Sequence, residues 1–418
     1  MKKDVVEAEM KSMIYVATPF SARTHDLVDT AIFTKPARLD LSHGSNLLAP
    51  PCCIQEAIAK ASVWGTTMSQ YGSPNGPYSL RELIAEYESS IFQDMVSTDN
   101  VIITLGGTDG LAVYFQYRAS EITQKFKPTV LLIGPQYPTL ARIAEANGFT
   151  VAMTQFAYFD CQLSKIAILE LKPNTVVITQ PSNPFGTFLS ADEFALLCIT
   201  CAKIKADIVV DRVCGDFASA YYQQSPKYRI IARKNGVRLT EVESYSKRRG
   251  IPGLRIGYNI MPTEIVSWCT NAVIGRTITS IGCVAVEADI RAFLNNDEEY
   301  KAQVINNHAI VNRNVRVFKE LLGSRLISSS TPANGANFLA VVRLPKPMLE
   351  SVAALWLYNT YNLGTYPISC FELWTESEAT DIMRIRITAA TPQEGFDKAV
   401  YILLSALSES NLQKEKRK

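Results

Sequence analysis

Ser244-Tyr-Ser-Lys247-Arg-Arg-Gly-Ile-Pro-Gly253-Leu-Arg255-Ile-Gly257-Tyr258 is the most telling stretch of this 418-residue chain. Its lysine follows a strand-like run, Val237–Tyr245, in a setting of small residues. Eight residues later an arginine flanked by glycines leads into another strand, Arg255–Ile260. A lysine so placed suits imine formation with an aldehyde cofactor, while a serine and an arginine hold a phosphate. Arginine fits that second task because its planar fork donates paired hydrogen bonds to an oxyanion. The same residues also read as a basic surface turn, since Lys-Arg-Arg runs are usually solvated.

Around this stretch, from about residue 65 to 280, strand-like apolar runs alternate with helical patterns. The strand candidates are Asn100–Thr104, Thr129–Ile133, Phe149–Met153, Thr175–Thr179, Asp207–Asp211 and Arg255–Ile260. Helices are expected at Pro138–Asn147 and at Ala191–Lys205, the latter opened by a Ser190/Glu193 capping box. Such alternation predicts an α/β layer with a mainly parallel sheet. The last third changes character. Helical patterns near 300–322 and 347–360 bracket a strand, Asn337–Arg343, and a strand at Ile382–Thr388 precedes a helix opening near Thr391, where Glu394 repeats the capping-box spacing. This α+β pattern predicts a smaller second domain. The expected division is a large domain over 55–290, with 1–54 and 291–418 forming the small domain and an N-terminal arm.

Composition narrows the chemistry. With 42 Lys+Arg against 40 Asp+Glu, the near-neutral balance gives no support to a nucleic-acid role. No apolar stretch approaches a membrane span, and Lys2-Lys3 is not followed by the apolar run of a signal peptide. Nine cysteines, an odd number, read as free thiols, so the expected compartment is the cytoplasm. Three scattered histidines exclude a His-Glu-x-x-His zinc motif, and no metal site is expected. Cys198 and Cys201 form a Cys-x-x-Cys in a helical pattern with no second pair, which reads as buried small hydrophobes.

Further segments carry chemistry-bearing residues. Thr104-Leu-Gly106-Gly107-Thr108-Asp109 follows a strand and opens a helix, whose N-terminal N–H groups suit a phosphate. Asp211 closes the run Ala206-Asp-Ile-Val-Val-Asp211, at the strand end where open α/β sheets bind ligands. Gly134-Pro135-Gln-Tyr137-Pro138 and Gln180-Pro181-Ser-Asn183-Pro184-Phe-Gly186 follow strands as turns. Tyr71-Gly72 precedes Gly76 and Leu80-Arg81; Asp40-Leu-Ser-His43-Gly44 lies near the start; Arg384-Ile-Arg386-Ile-Thr-Ala-Ala lies near the end. Taken singly, each also reads as an ordinary turn, cap or strand.

In this order, from about Leu41 to Ala390, the segments resemble the class I/II aminotransferases, the fold-type I enzymes that depend on pyridoxal 5'-phosphate (PLP). The resemblance implies an aspartate aminotransferase-like large domain with a mainly parallel sheet and a smaller α+β domain. It puts Lys247 on the Schiff-base lysine, and Ser244, Arg255, Gly107 and Thr108 on the phosphate ligands. Tyr137 takes the ring-stacking position, Asn183 the partner of the phenolic oxygen, and Asp211 the partner of the pyridine nitrogen. Tyr71 matches a residue reaching the neighbouring subunit's phosphate, which implies a homodimer with shared sites. Arg386, or Arg384 two residues away, matches the clamp on the substrate carboxylate, and Gly44 lies beside the substrate. Phe371 and Trp374 are candidates for substrate selectivity.

Two departures stand out. Where the family commonly reads Asp-Glu-x-Tyr, this chain reads Asp211-Arg212-Val213-Cys214, and a thiol is a poor donor in place of a phenol. Phe185 stands for the usual Thr before Gly186. The leading expectation is amino-group transfer between an L-amino acid and a 2-oxo acid. The alternative is a PLP enzyme that does not transaminate, such as a cyclase, eliminase, decarboxylase or amino-acid oxidase. A third reading is a non-catalytic PLP-binding regulator, against which the retained Lys247 argues.

Overall fold

Val130-Leu-Leu132, Val176-Val-Ile178 and Ile208-Val-Val210 are almost wholly buried. Such continuous apolar, largely β-branched runs suit strands covered on both faces. The computed structural model describes residues 14–16, 39–42, 44–61, 72–122, 127–154, 161–217, 228–272, 278–328, 338–344, 350–371 and 383–408. Within them the strands are β1 (Ile14–Val16), β2 (Leu39–Asp40), β3 (Val101–Thr104), β4 (Thr129–Leu132), β5 (Thr150–Thr154), β6 (Thr175–Thr179) and β7 (Asp207–Asp211). The chain continues with β8 (Leu239–Ser244), β9 (Gly257–Ile260), β10 (Leu326–Ser328), β11 (Leu339–Leu344), β12 (Leu363–Gly364), β13 (Tyr366–Pro367) and β14 (Met383–Thr388).

The large sheet has the order β1-β5-β4-β6-β7-β8-β9-β3. Strands β4 to β8 are parallel, β9 runs antiparallel to both β8 and β3, and β1 runs antiparallel to β5. Side-chain alternation divides its core into two layers. Val130, Leu132, Val177, Val209 and Val242 pack with the helices Gly107–Glu121, Pro138–Ala146 and Thr263–Ala272. Leu131, Val176, Ile178, Ile208 and Val210 pack with Cys161–Leu171, Ala191–Ile204 and Tyr228–Lys234. This is the expected α/β layer. Cys198 and Cys201 lie in the second core, and burial raises both thiols, Cys198 to about 12.

The smaller sheet, order β10-β11-β14-β13, is antiparallel throughout. It shares a core with Val311, Val315 and Phe318 of the helix Glu298–Leu322, Leu357 of Glu350–Tyr361, and Phe396 and Leu403 of Gln393–Ala406. The described N-terminal residues pair in two places. β2 pairs with β12 beside the small sheet, whereas β1 extends the large one along β5, where its Ile-Tyr-Val sequence suits an edge.

Helix starts follow local chemistry. Ser190 Oγ accepts from Glu193 N at 3.3 Å, and Glu193 Oε2 accepts from Ser190 N at 2.7 Å, the expected capping box. The second expected box does not form. Pro392 takes the N-cap of Gln393–Ala406, which leaves Thr391 one residue too early, its hydroxyl buried without a partner.

Candidate active site

The carboxyl ends of the parallel strands open onto a cavity of about 550 Å³. Its walls bring together Asp211 at the end of β7, Ser244 at the end of β8 with Lys247 just after it, and Asn183 in the turn after β6. Tyr137 caps the helix Pro138–Ala146 on the same cavity, and Gly107, Thr108, Arg255 and Gly44 complete the expected residues there. Tyr71 lies outside the described residues, as do the side chains of Arg384 and Arg386. The backbone of Arg386 pairs with Val341 and Tyr366, so its strand adjoins Tyr366, which itself lines the cavity.

One end of the cavity is a cradle built from neighbouring strands. Gly257 of β9 stands opposite both Thr104 of β3 and Ser244 of β8, which sets the turn after β3 beside the lysine segment. Arg255 Nη2 donates to the Leu105 carbonyl at 2.9 Å, and its Nη1 to the Pro252 carbonyl at 2.9 Å, while its backbone holds a left-handed φ of 50°. Gly106, at φ 92°, caps the helix Gly107–Glu121; a Cβ there would come 3.2 Å from Arg255 Nη2 and 3.6 Å from Ser244 Oγ. Helix N-terminal N–H groups, a guanidinium and a serine hydroxyl therefore surround a space that the absent side chain leaves open. That is the donor set of an anion site.

Lys247 and Asp211 give the cavity its reactive groups. Lys247 Nζ donates to Ser45 Oγ at 3.3 Å. Asp211 Oδ1 accepts from Val213 N at 3.1 Å. Burial pushes the Asp211 carboxyl up to about 6, against the Val213 N–H and the Lys247 charge, which pull it down. Asp211 is the one acidic group lining the cavity among the described residues. Ser45, Thr139, Arg142 and Cys370 also line it. Nothing in their sequence marked them, because a lone serine or arginine in a loop or helix carries no spacing signal.

Several residues take places that the sequence did not indicate. Arg212 points away from the cavity: adjacent strand positions face opposite sides, and its guanidinium meets Glu88 at 2.5 Å and Glu241 at 3.7 Å behind the sheet. The Lys247-Arg248-Arg249 run is not a solvated turn, for Arg248 and Arg249 are only 3% and 6% exposed. Cys214 lines the cavity but also packs into the small-sheet core with Leu41 and Leu48. Phe185 and Phe371 are buried together with Val341 and Ile368, so Phe371 is core and not cavity wall; Trp374 lies outside the described residues. Among the described residues no cluster could hold a metal ion, and no helix is long and apolar enough to cross a membrane.

Comparison with known proteins agrees with this architecture. The family described as aminotransferase class I and II matches residues 37–403. The chain is 25% identical over 366 residues to an aspartate aminotransferase of Pyrococcus horikoshii, covering 85% of this chain and 87% of that protein. It is 25% identical over 271 residues to an aromatic amino acid aminotransferase of Rhodococcus opacus, covering 62% and 66%. Among solved structures, the aspartate aminotransferase of Thermus thermophilus with maleate superposes with a TM-score of 0.76 at 20% identity, over 94% of this chain and 97% of that one. The Escherichia coli protein YbdL, with a methionine aminotransferase function, gives 0.75 at 18% identity, over 92% and 98%. The chain belongs to the class I and II aminotransferases and is a PLP-dependent enzyme of that family.

Proposed function

We propose that the cavity transfers an amino group between an L-amino acid and a 2-oxo acid, with Lys247 as the residue that holds PLP covalently. The juxtaposition of Lys247 and the buried Asp211 on one cavity carries this reading. The residues present fit PLP: the Gly106–Thr108 turn, Ser244 and Arg255 provide the anion cradle, and Asp211 provides a carboxylate on the same cavity wall. Bound there, PLP supplies an aldehyde carbon for amino groups and a ring that withdraws electrons from the substrate α-carbon.

The chain's own residues do the rest. Asp211, pushed up to about 6 by burial, is largely ionised at neutral pH and would favour the protonated form of the cofactor's ring nitrogen. Asn183 and Tyr137 orient the ring, and Arg255 with the helix N-terminus grips the phosphate. Lys247 Nζ, the amine on this cavity wall, would take the proton from the substrate α-carbon and return one. Arg386 is proposed to clamp the α-carboxylate, with Gly44 leaving room beside the substrate. The relatives' names, covering aspartate, aromatic and methionine aminotransferases, single out no one side chain for this enzyme.

The active unit is proposed to be a homodimer in which Tyr71 serves the neighbouring site. An open groove beside the cradle, lined by Leu105, Ala112, Leu254, Arg255 and Ile281, supports this as the place a second copy covers. A cytoplasmic location fits nine cysteines that are all free thiols.

The test uses the purified holoenzyme and a panel of amino acids. Wild type is expected to lose its visible absorption as bound PLP becomes pyridoxamine phosphate, and to need a 2-oxo acid for turnover. Lys247→Ala is expected to lack the visible band. Substrate consumption with the cofactor held in the aldehyde form would instead establish the non-transaminating alternative.

A further inference from the structure

Lys247 stands in a helix of four residues, Tyr245–Arg248. So short a turn has no stability of its own, because helix nucleation is unfavourable. Its direction must be set by what grips it from outside. Ser246 and Lys247 border the cavity, while Tyr245, Arg248 and Arg249 are buried away from it. Arg249 engages all three guanidinium nitrogens: Nε donates to Asp289 at 2.6 Å, Nη1 to Asp216 at 2.7 Å, and Nη2 to the Tyr300 hydroxyl at 2.7 Å.

These partners come from three separate places. Asp216 follows the Asp211–Cys214 segment, Asp289 lies on the helix Ser280–Leu294, and Tyr300 lies on Glu298–Leu322, which runs on into the small-sheet core. Arg248 completes the cluster, its Nε 3.8 Å from Asp216 and 3.9 Å from Asp289. Two guanidiniums thus balance two buried carboxylates directly behind the lysine. His308 closes the outer side, 3.5 Å from Asp216.

We propose that Arg249 is a positioning residue for Lys247: clamped by Asp216, Asp289 and Tyr300, it fixes the turn that presents Nζ to Asp211 and Ser45. The inference rests on Lys247 being the cofactor lysine. A lysine at 249 keeps the charge but has no planar fork, so it cannot hold three partners in three directions. The lysine turn then relaxes away from Asp211, the acidic group of the cavity, and a cation that loses an opposite charge titrates lower. Ser45, Asp211, Cys214 and Arg255, which share the cavity wall with Lys247, are untouched by the change.

The experiment titrates the visible absorption of PLP holoenzyme with pH in wild type, Arg249→Lys and Tyr300→Phe. It also measures affinity for pyridoxamine phosphate, which needs the cradle but no bond to Lys247. The midpoint should fall by at least about 0.5 pH unit in Arg249→Lys and by less in Tyr300→Phe. Pyridoxamine phosphate affinity should stay within about threefold in both, since the phosphate contacts are intact. Tyr300→Phe removes one hydroxyl and decides the matter alone if Arg249→Lys does not fold. An unchanged or raised midpoint, or loss of the midpoint and of pyridoxamine phosphate binding together in Tyr300→Phe, overturns the proposal. A visible band that survives Lys247→Ala would defeat the cofactor-lysine reading instead.

Discussion

Arg212 Nη2 donates to Glu88 Oε1 at 2.5 Å across 124 positions of sequence, behind the strand whose last residue, Asp211, faces the cavity. Arg229 pairs with both Glu88 and Glu241, and the Tyr258 hydroxyl donates to Glu88 Oε1 at 2.6 Å, so the end of β7, strands β8 and β9 and the helix Tyr78–Phe92 are tied by buried charge. Removing one partner leaves the other buried and uncompensated. Arg212→Ala is therefore expected to lower stability by about 3–5 kcal/mol in urea denaturation. A loss under about 1 kcal/mol would mean that the pair is no more than a surface-like contact.

Glu243, beside Ser244, gives the cofactor-free protein a pH dependence. Burial pushes its carboxyl up to about 8, with Arg212 and the Ser244 N–H opposing. Asp211, at about 6, is raised for the same first reason. Both bind a proton more tightly folded than unfolded. Their contribution is thus complete below about pH 4 and is lost as pH rises through about 6 and then about 8. For Asp211 alone this is on the order of 3 kcal/mol. Urea midpoints of apoprotein should fall between about pH 5 and 8.5, and Glu243→Gln should flatten the upper half of that fall. An identical slope in the variant would rule Glu243 out.

Gly106→Ala tests the cradle. It combines backbone strain at φ 92° with a methyl 3.2 Å from Arg255 Nη2, so affinity for PLP is expected to drop at least about tenfold. Gly148→Ala is the control: φ is 87° there, but a Cβ meets nothing within 4 Å. It should cost about 1–2 kcal/mol of stability and leave PLP affinity unchanged. Equal affinity losses in both would show strain, not the cradle, at work.

Cys214 is buried between cavity and small-sheet core, and a thiol is a weak donor. Cys214→Ala is expected to keep kcat within about threefold. Cys214→Tyr, which restores the phenol common in the family, should destabilise by about 1–3 kcal/mol through overpacking against Leu41 and Leu48. A kcat loss beyond about tenfold in the alanine variant would give the thiol a direct part in the chemistry.

What the sequence revealed depended on whether a residue's role was local. Continuous apolar strands such as Thr175–Thr179, the Ser190 cap and the glycine turn before Thr108 are short-range patterns, and they were legible. The Lys-Arg-Arg run was ambiguous because the partners that bury its arginines, Asp216, Asp289 and Tyr300, lie 33 to 51 positions away. Arg212 looked like part of the site because adjacency in sequence hides the alternation of faces along a strand. Ser45 was invisible for the same kind of reason: its hydrogen bond to Lys247 spans 202 residues.

The row Thr104–Gly257–Ser244 has a consequence for the order of folding. Leu105 and Arg255 meet across 150 positions, where β9 lies between β8 and β3. Contacts of such separation form late, because their chain-closure entropy must be met first. A refolding chain should therefore acquire most of its parallel strands before it can hold PLP at all. Cofactor capture should follow the slowest refolding phase, and added PLP should deepen the native well without hastening collapse.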